Sequence, residues 1–434
     1  MTLTALAPLG YSLTSRRSRL AFHWRAADLS LDPITDQAET FARATASGLV
    51  PDRVGRLVAS RVHSAPVWEM ADLDADGVYE TPGLRLEPQR TNLILRSQEI
   101  DNASWTKTDT TITANNIAAP DGTTTADLCT EGVAGTALVF QSVTVTAGTV
   151  VAASVFAKRG NTDWLAVRLE DAGGSDTLHA WFNLSTGAVG SNSVGGTAAL
   201  KRAHVETLAS GWYRLIIVGS LGAADTGYIL HTHSASADSS LTRVNSATYY
   251  LWGAMLEEGR MASSYVATTS ASVTKNADAL QWTFSQLPQL LTLYGSIRTN
   301  TGSEATSDLV LANLGNGTPG GTAASLLVSS HNNLLYLYVA NGSATNSNSI
   351  ASTYVPGDQL EFRAVLNANG SGTLGRSINS GAEATAAVTA PTGGIATAFN
   401  AARIDPASTH LCMYRSLKVA LGAAYTMAQM RSFF

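Results

Sequence analysis

GWYRLIIVGS, residues 211–220, is the stretch that decides the fold class. Alternation places Trp212, Arg214, Ile216 and Val218 on one side of an extended chain, with Tyr213, Leu215 and Ile217 on the other. Both sides are largely apolar, so the segment reads as a central strand. Working outward, LVFQSVTV (138–145), VVAASVFAKR (150–159), DWLAVRLE (163–170), LHAWFNL (178–184) and YYLWGAMLE (249–257) are further strands, separated by Gly, Asn, Asp and Ser clusters. Many strands at short spacing without helical segments between them predict a sandwich or jelly roll.

A composition shift over TTSASVTKNADAL (268–280) marks an inter-domain joint, after which the strand pattern resumes. LLTLYGSIRT, SDLVLANLG, NLLYLYVA and QLEFRAVLN read as strands, and AAYTMAQMRSFF as a short helical tail. In NLLYLYVA, Leu335 and Leu337 alternate with Tyr336 and Tyr338, the pattern of one dry and one wet face. The expected fold is mainly β: an irregular N-terminal anchoring region (1–90), a jelly roll (91–275) and a second β-sandwich (276–434). Within the first region, LDPITDQAETFARATA (31–46) has Asp32 as a helix cap and Pro33 at the first helical position, and predicts a short helix.

Composition narrows the function classes. Only 14% of residues are charged, with 28 Lys and Arg against 33 Asp and Glu, while 45% are apolar. Ordinary soluble proteins carry about 25% charge. Thr, Ser, Gly, Asn and Ala fill the deficit, which suits neutral β surfaces rather than a disordered chain. A net charge of −5 gives no broad positive field, so nucleic-acid binding is not expected. Cys129 and Cys412 are too few and too far apart for a disulfide framework or metal spacing and read as buried thiols. The opening residues lack a charged stretch ahead of apolar ones, and no apolar run reaches about 18 residues. Neither secretion nor membrane insertion is expected, and synthesis is expected in the cytoplasm.

Local departures from this neutral texture are the candidate sites. Arg16, Arg17, Arg19 and Arg25 form a basic cluster, either a solvated loop or a docking arm for an acidic partner surface. Asp72, Asp74, Asp76 and Gly77 open like a calcium loop, with Glu80 at the ninth position. The twelfth position is Gly83 rather than a bidentate Glu, so a structural calcium and a plain acidic turn are both open readings. No nucleophile elbow, H-E-x-x-H, P-loop or dinucleotide motif occurs. His231 and His233 have a spacing that can ligate metal but read as surface histidines. Glu170, Asp171, Glu257 and Glu258 are available to glycosidase chemistry but read as strand ends. Trp212 and Trp252 belong to apolar strands and read as core. Trp105 and Trp164, beside Asn102, Lys107, Asn161 and Asp163, are the candidate sugar platform, since sugars stack their C–H faces on aromatic rings.

GLRLEPQRTNLILRSQEIDNASWTKTDTTITANNIAAPDGTTTADL (83–128), VVAASVFAKRGNTDWLAVRL (150–169), GWYRLIIVGS and YLWGAMLEEGRMASSYVATT (250–269) resemble a domain that recurs in structural proteins of tailed bacteriophages. Such proteins are fibres, spikes, and minor tail or head-decoration proteins. TFARATASGLVPDRVGRLVASRV (40–62) resembles the segment that precedes this domain, and the resemblance spans roughly residues 39–280. It implies a carbohydrate-binding-module-like jelly roll and supplies no catalytic motif. Residues 281–434 are similar to concanavalin-like or laminin-G-like sandwiches, which close with a strand and short helix such as RSLKVALGAAYTMAQM (415–430). The Pro51-Asp52-Arg53 interruption and the DLDADG turn depart from the family pattern.

The expectation is therefore a non-enzymatic virion protein, homotrimeric, docked on other virion proteins by its N-terminus and binding host-surface glycans, with no cofactor beyond a possible calcium. A tailspike-like depolymerase and a ligand-free cementing protein are the alternatives.

Overall fold

The computed structural model describes residues 20–25, 30–32, 39–43, 49–51, 57–59, 68–69, 83–133, 135–287, 290–299, 309–315, 320–355, 357–393, 399–404, 412–421 and 424–431. It is built almost wholly of antiparallel strands. Two six-stranded sheets form a jelly-roll-like sandwich. One runs in the order Thr110–Ile117, Ala126–Glu131, Thr248–Glu258, Val151–Arg159, Trp212–Ser220, Ala199–Thr207. The facing sheet runs Val189–Gly195, Thr177–Asn183, Trp164–Asp171, Gly227–Ala235, Leu138–Thr144, Thr106–Thr108.

Val155, Leu165, Phe182, Leu215, Leu230 and Leu251 fill the space between these sheets. The first sheet is apolar on its outer side too, where Phe156, Trp212, Trp252 and Met255 meet Tyr265 and Val266. Ala262 covers Ile216 and Val218 on the same side. That double cover is why GWYRLIIV is apolar on both faces, as its sequence predicts. Cys129 is a buried free thiol, as expected.

The second sandwich packs a seven-stranded sheet on a nine-stranded one. Leu293, Leu326, Leu337, Phe362 and Leu374 are among its core residues, so the dry face read for NLLYLYVA is the buried one. The closing helix is a single turn, Met427–Arg431, tied down by an ion pair between Arg431 and Glu361.

Strands from before residue 90 lie in this same sandwich. Leu20–Arg25 and Gly83–Leu86 pair with Cys412–Leu421, and Glu39–Arg43 pairs with Asp278–Leu287. The jelly roll is thus inserted between the N-terminal and C-terminal strands of one sandwich. The helix expected over 31–46 is corrected: Ser30–Asp32 and Glu39–Arg43 are strands, because pairing with a distant partner outweighs a weak local helix preference.

The chain crosses between the two sandwiches twice. The crossings run side by side, Arg90–Asn92 pairing with Val273–Lys275. Lys275 Nζ lies 2.6 Å from Glu87 Oε2, both side chains buried, and Glu87 also accepts hydrogen bonds from Ser264 N at 2.8 Å and Ser264 Oγ at 2.6 Å. Asp278 closes the joint, its carboxylate accepting from Glu87 N at 3.0 Å while its own N–H donates to Glu87 O at 2.8 Å.

Candidate functional site: the open face of the jelly roll

Among the described residues no apolar segment covers the second jelly-roll sheet as one covers the first, and its outward side chains follow from strand alternation. Leu165, Val167 and Leu169 enter the core, so Trp164, Ala166, Arg168 and Glu170 face outward. Leu178, Ala180 and Phe182 likewise turn His179 and Trp181 outward, and Tyr228 and Leu230 turn His231 and His233 outward. Register then assembles a row across the sheet: Phe140 opposite His231, His231 opposite Arg168, Arg168 opposite His179, and His179 opposite Ser193.

Side-chain contacts hold the row in place. Phe140 and His231 stack with ring centroids 5.2 Å apart at 19°. His231 Nε2 lies 2.8 Å from Glu170 Oε1, and Arg168 forms an ion pair with Glu170. Arg168 remains 27% exposed and Glu170 14% exposed, so both reach solvent at the centre of the face. His179 lies 5.5 Å from the Trp181 ring. Trp181 is buried and donates from Nε1 to Ser240 O at 2.8 Å, under a loop anchored by Arg243 Nε to Ala137 O at 2.9 Å. Trp164 packs at the edge of this patch. A Cβ on Gly190 would come within 2.6 Å of Trp164 Cζ3, so that strand can pass the indole only as glycine.

The electrostatics favour neutral imidazoles. Burial, followed by the charge of Arg168, lowers His231 to about 3 and His179 to about 4, while burial and Arg243 lower His233 to about 3. Each ring therefore offers one donor and one acceptor at neutral pH. Burial raises Glu170, and Arg168 opposes the shift. Fixed donors and acceptors beside aromatic edges fit a hydroxyl-rich ligand. Glu170 is the one carboxylate these strands place on the face. Among the described residues no three His, Cys, Asp or Glu are gathered as a metal site requires.

The expected site residues fare differently. Trp164 lies half-buried at the edge of the open face. Trp105 is corrected: it is a core residue, 4% exposed, with Nε1 donating to Arg96 O at 3.1 Å, and it presents no ring face to a sugar. Asn161 spends its amide on the chain, donating to Ser246 O at 3.0 Å and accepting from Thr248 N at 2.6 Å. Asp163 pairs with Arg159 at 2.5 Å on the surface. His231 and His233, expected on the surface, are buried within the row and beneath the loop. Arg25 lies within the paired strand Leu20–Arg25. Arg16, Arg17, Arg19, Asp72, Asp74, Asp76 and Glu80 fall outside the described residues.

Neither Arg168 nor His179 belongs to a motif in the sequence. Their signal is the even spacing of Trp164, Arg168 and Glu170 in DWLAVRLE and of His179 and Trp181 in LHAWFNL, which puts each set on one side of a strand.

No protein-family model and no curated protein sequence matches this chain. Among solved structures, the LG1–3 region of the laminin α2 chain is 13% identical with a TM-score of 0.21, over 68% of this chain and 61% of that one. Domains LG4–5 of the mouse laminin α1 chain are 8% identical with a TM-score of 0.23, over 84% of this chain and 93% of that one.

Proposed function

We propose that the chain is a non-enzymatic glycan-binding protein of a bacteriophage particle, a fibre, spike or decoration protein. The observation that carries the binding reading is the Phe140–His231–Arg168–His179 row, a solvent-reachable guanidinium framed by neutral imidazoles and an aromatic stack on a sheet face that apolar segments leave open. Placement on a virion rests on the sequence resemblance over residues 39–280. The basic stretch Arg16–Arg19 is the proposed docking contact with other virion proteins. Trimeric display would multiply single sites of about millimolar affinity into useful avidity.

Titration calorimetry with fragments of host capsular polysaccharide and lipopolysaccharide tests the reading. Arg168→Ala should weaken binding by at least about tenfold, the loss of one charge-assisted hydrogen bond. Affinity unchanged in that variant would remove the face from the account. The competing depolymerase reading draws on Glu170, whose carboxyl is raised by burial as a general acid's would be. Glycoside hydrolysis takes two carboxylates, and among the described residues Glu170 is the one that the strands place on the face, while Asp238 at the Trp164 edge is held by Ser191 N and Oγ. New reducing ends after incubation with polysaccharide would favour the enzyme, and bound but intact polysaccharide the lectin. Calcium in the 72–80 turn is proposed on its D-x-D-x-D-G pattern; a melting temperature insensitive to chelator would reject it.

A further inference from the structure

At the end of the jelly roll where the chain enters and leaves it, a groove of about 810 Å³ runs between the Arg90–Asn92 crossing, the Gly148–Val150 turn and Glu258–Arg260. We propose that this groove is a second binding site, for an oligosaccharide bearing a carboxylate. The proposal does not rest on the glycan reading of the Arg168 face, which lies on the opposite sheet.

The volume falls within the roughly 300–1,000 Å³ of pockets that take small ligands. The walls are already tied together. Thr91 Oγ1 and Thr274 Oγ1 are 2.7 Å apart, Gly259 N donates to Val150 O at 2.8 Å, and Thr146 N donates to Glu258 Oε1 at 2.6 Å. Gly259, at φ +148°, lets the backbone pass directly over the Arg90 guanidinium, where a Cβ would sit 2.8 Å from Nε.

The two arginines of the groove differ in their occupation. Arg90 is buried, interacts with Glu257 and Glu87, and donates from Nη1 to Gln89 O at 2.9 Å. Arg260 is half-buried, and among the described residues its guanidinium has no hydrogen bond or ion pair. A planar five-donor fork left without an acceptor in a recess is suited to receive a carboxylate in bidentate fashion. Around it, Gln89, Thr91, Thr149 and Thr274 add hydroxyl and amide groups to the lining. These match sugar hydroxyls and offer no stacking surface for bases. Glu258 on the same rim disfavours a polyanion such as nucleic acid while accepting hydroxyl donors. Leu93 and Val150 are too few for an apolar peptide. A hydroxyl-rich ligand with a localised negative charge is what remains, and that is an acidic sugar chain.

The test titrates the full-length protein with a trisaccharide that ends in a single galacturonic acid, the acid trimer, and with its methyl ester, the same sugar without the charge. The acid should bind at least about tenfold more tightly than the ester, and Arg260→Ala should abolish that difference. Arg260→Lys should recover only part, because it restores charge without the fork. Melting temperature checks that each variant is folded, and among the described residues the Arg260 guanidinium has no partner to lose. Equal binding of acid and ester, no binding of either, or unchanged affinity in Arg260→Ala would overturn the proposal. So would loss of acid-trimer binding in Arg168→Ala with Arg260→Ala unaffected, since the trimer would then lie on the open face.

Discussion

Glu131 shows how much one residue can hold. Its strand belongs to one jelly-roll sheet, yet its carboxylate reaches Ser234 of the facing sheet, accepting from Ser234 N at 2.6 Å and Ser234 Oγ, and from Tyr249 Oη at 3.0 Å. Burial raises its pKa and these donors oppose the shift. Glu131→Ala would leave three donors without an acceptor inside the sandwich. It should cost about 3 kcal/mol or more by urea denaturation, whereas a loss under about 1 kcal/mol would mean the donors find other partners. Trp252 packs against Phe156 and Tyr265 at 5.4 and 5.0 Å, and Trp252→Ala should cost about 3–5 kcal/mol.

The three depressed histidines give the residue scale a pH dependence. The folded chain resists protonating them until about pH 4 for His179 and about pH 3 for His231 and His233, whereas the unfolded chain protonates them from about 6.5 downward. The unfolded state therefore holds more protons within that window, and stability falls as pH drops from about 6.5 toward 4. The slope is up to about 1.4 kcal/mol per pH unit for each histidine. Glu170, raised in the folded state, works in the opposite direction. His231→Gln should flatten the melting temperature against pH between about 4 and 6.5, and an unchanged slope would place its source elsewhere.

Elements differ in what covers them. The sheet containing Trp212–Ser220 is apolar on both faces because residues 260–268 lie across it, while the sheet containing Trp164–Asp171 keeps a polar outer face. Alternation made both patterns readable in the sequence, down to which residues share a face. It did not show which face a later segment would cover, because cover depends on where residues distant in sequence return. Gly190 tests the open face at this scale. Gly190→Ala would drive a methyl into Trp164 and Asp238, displacing the indole and the hydrogen bonds of Asp238 to Ser191 N and Oγ. A destabilisation of about 1–3 kcal/mol with a shifted tryptophan emission is expected, and an unchanged spectrum would count against the close contact.

For the whole molecule, the decisive fact is the insertion of one sandwich into another. Both crossings meet at the buried Lys275–Glu87 pair. Lys275→Met should cost about 3–5 kcal/mol, because the buried Glu87 carboxylate would lose the ammonium 2.6 Å away that offsets its burial. Calorimetry should show the two sandwiches melting further apart than in the parent. Removing residues 1–32 deletes Leu20–Arg25 and uncovers one side of Cys412–Leu421. The second sandwich should then lose stability and associate through the exposed edge, with the jelly-roll transition unchanged.

The sequence by itself determined the β class, the position of most strands and the neutral composition behind the 14% charge. Each of these is written in local alternation, turn residues and composition. Only the tertiary structure decided that strands before residue 90 belong to the C-terminal sandwich, that Trp105 is core, and that Arg168 and His179 lie side by side. Backbone hydrogen bonds between strands are indifferent to side-chain identity, so pairing between Leu20–Arg25 and Cys412–Leu421 leaves little mark on either segment. Burial of a tryptophan likewise depends on what packs against it. Alternation shows which way a side chain points, and the returning chain decides whether it meets water.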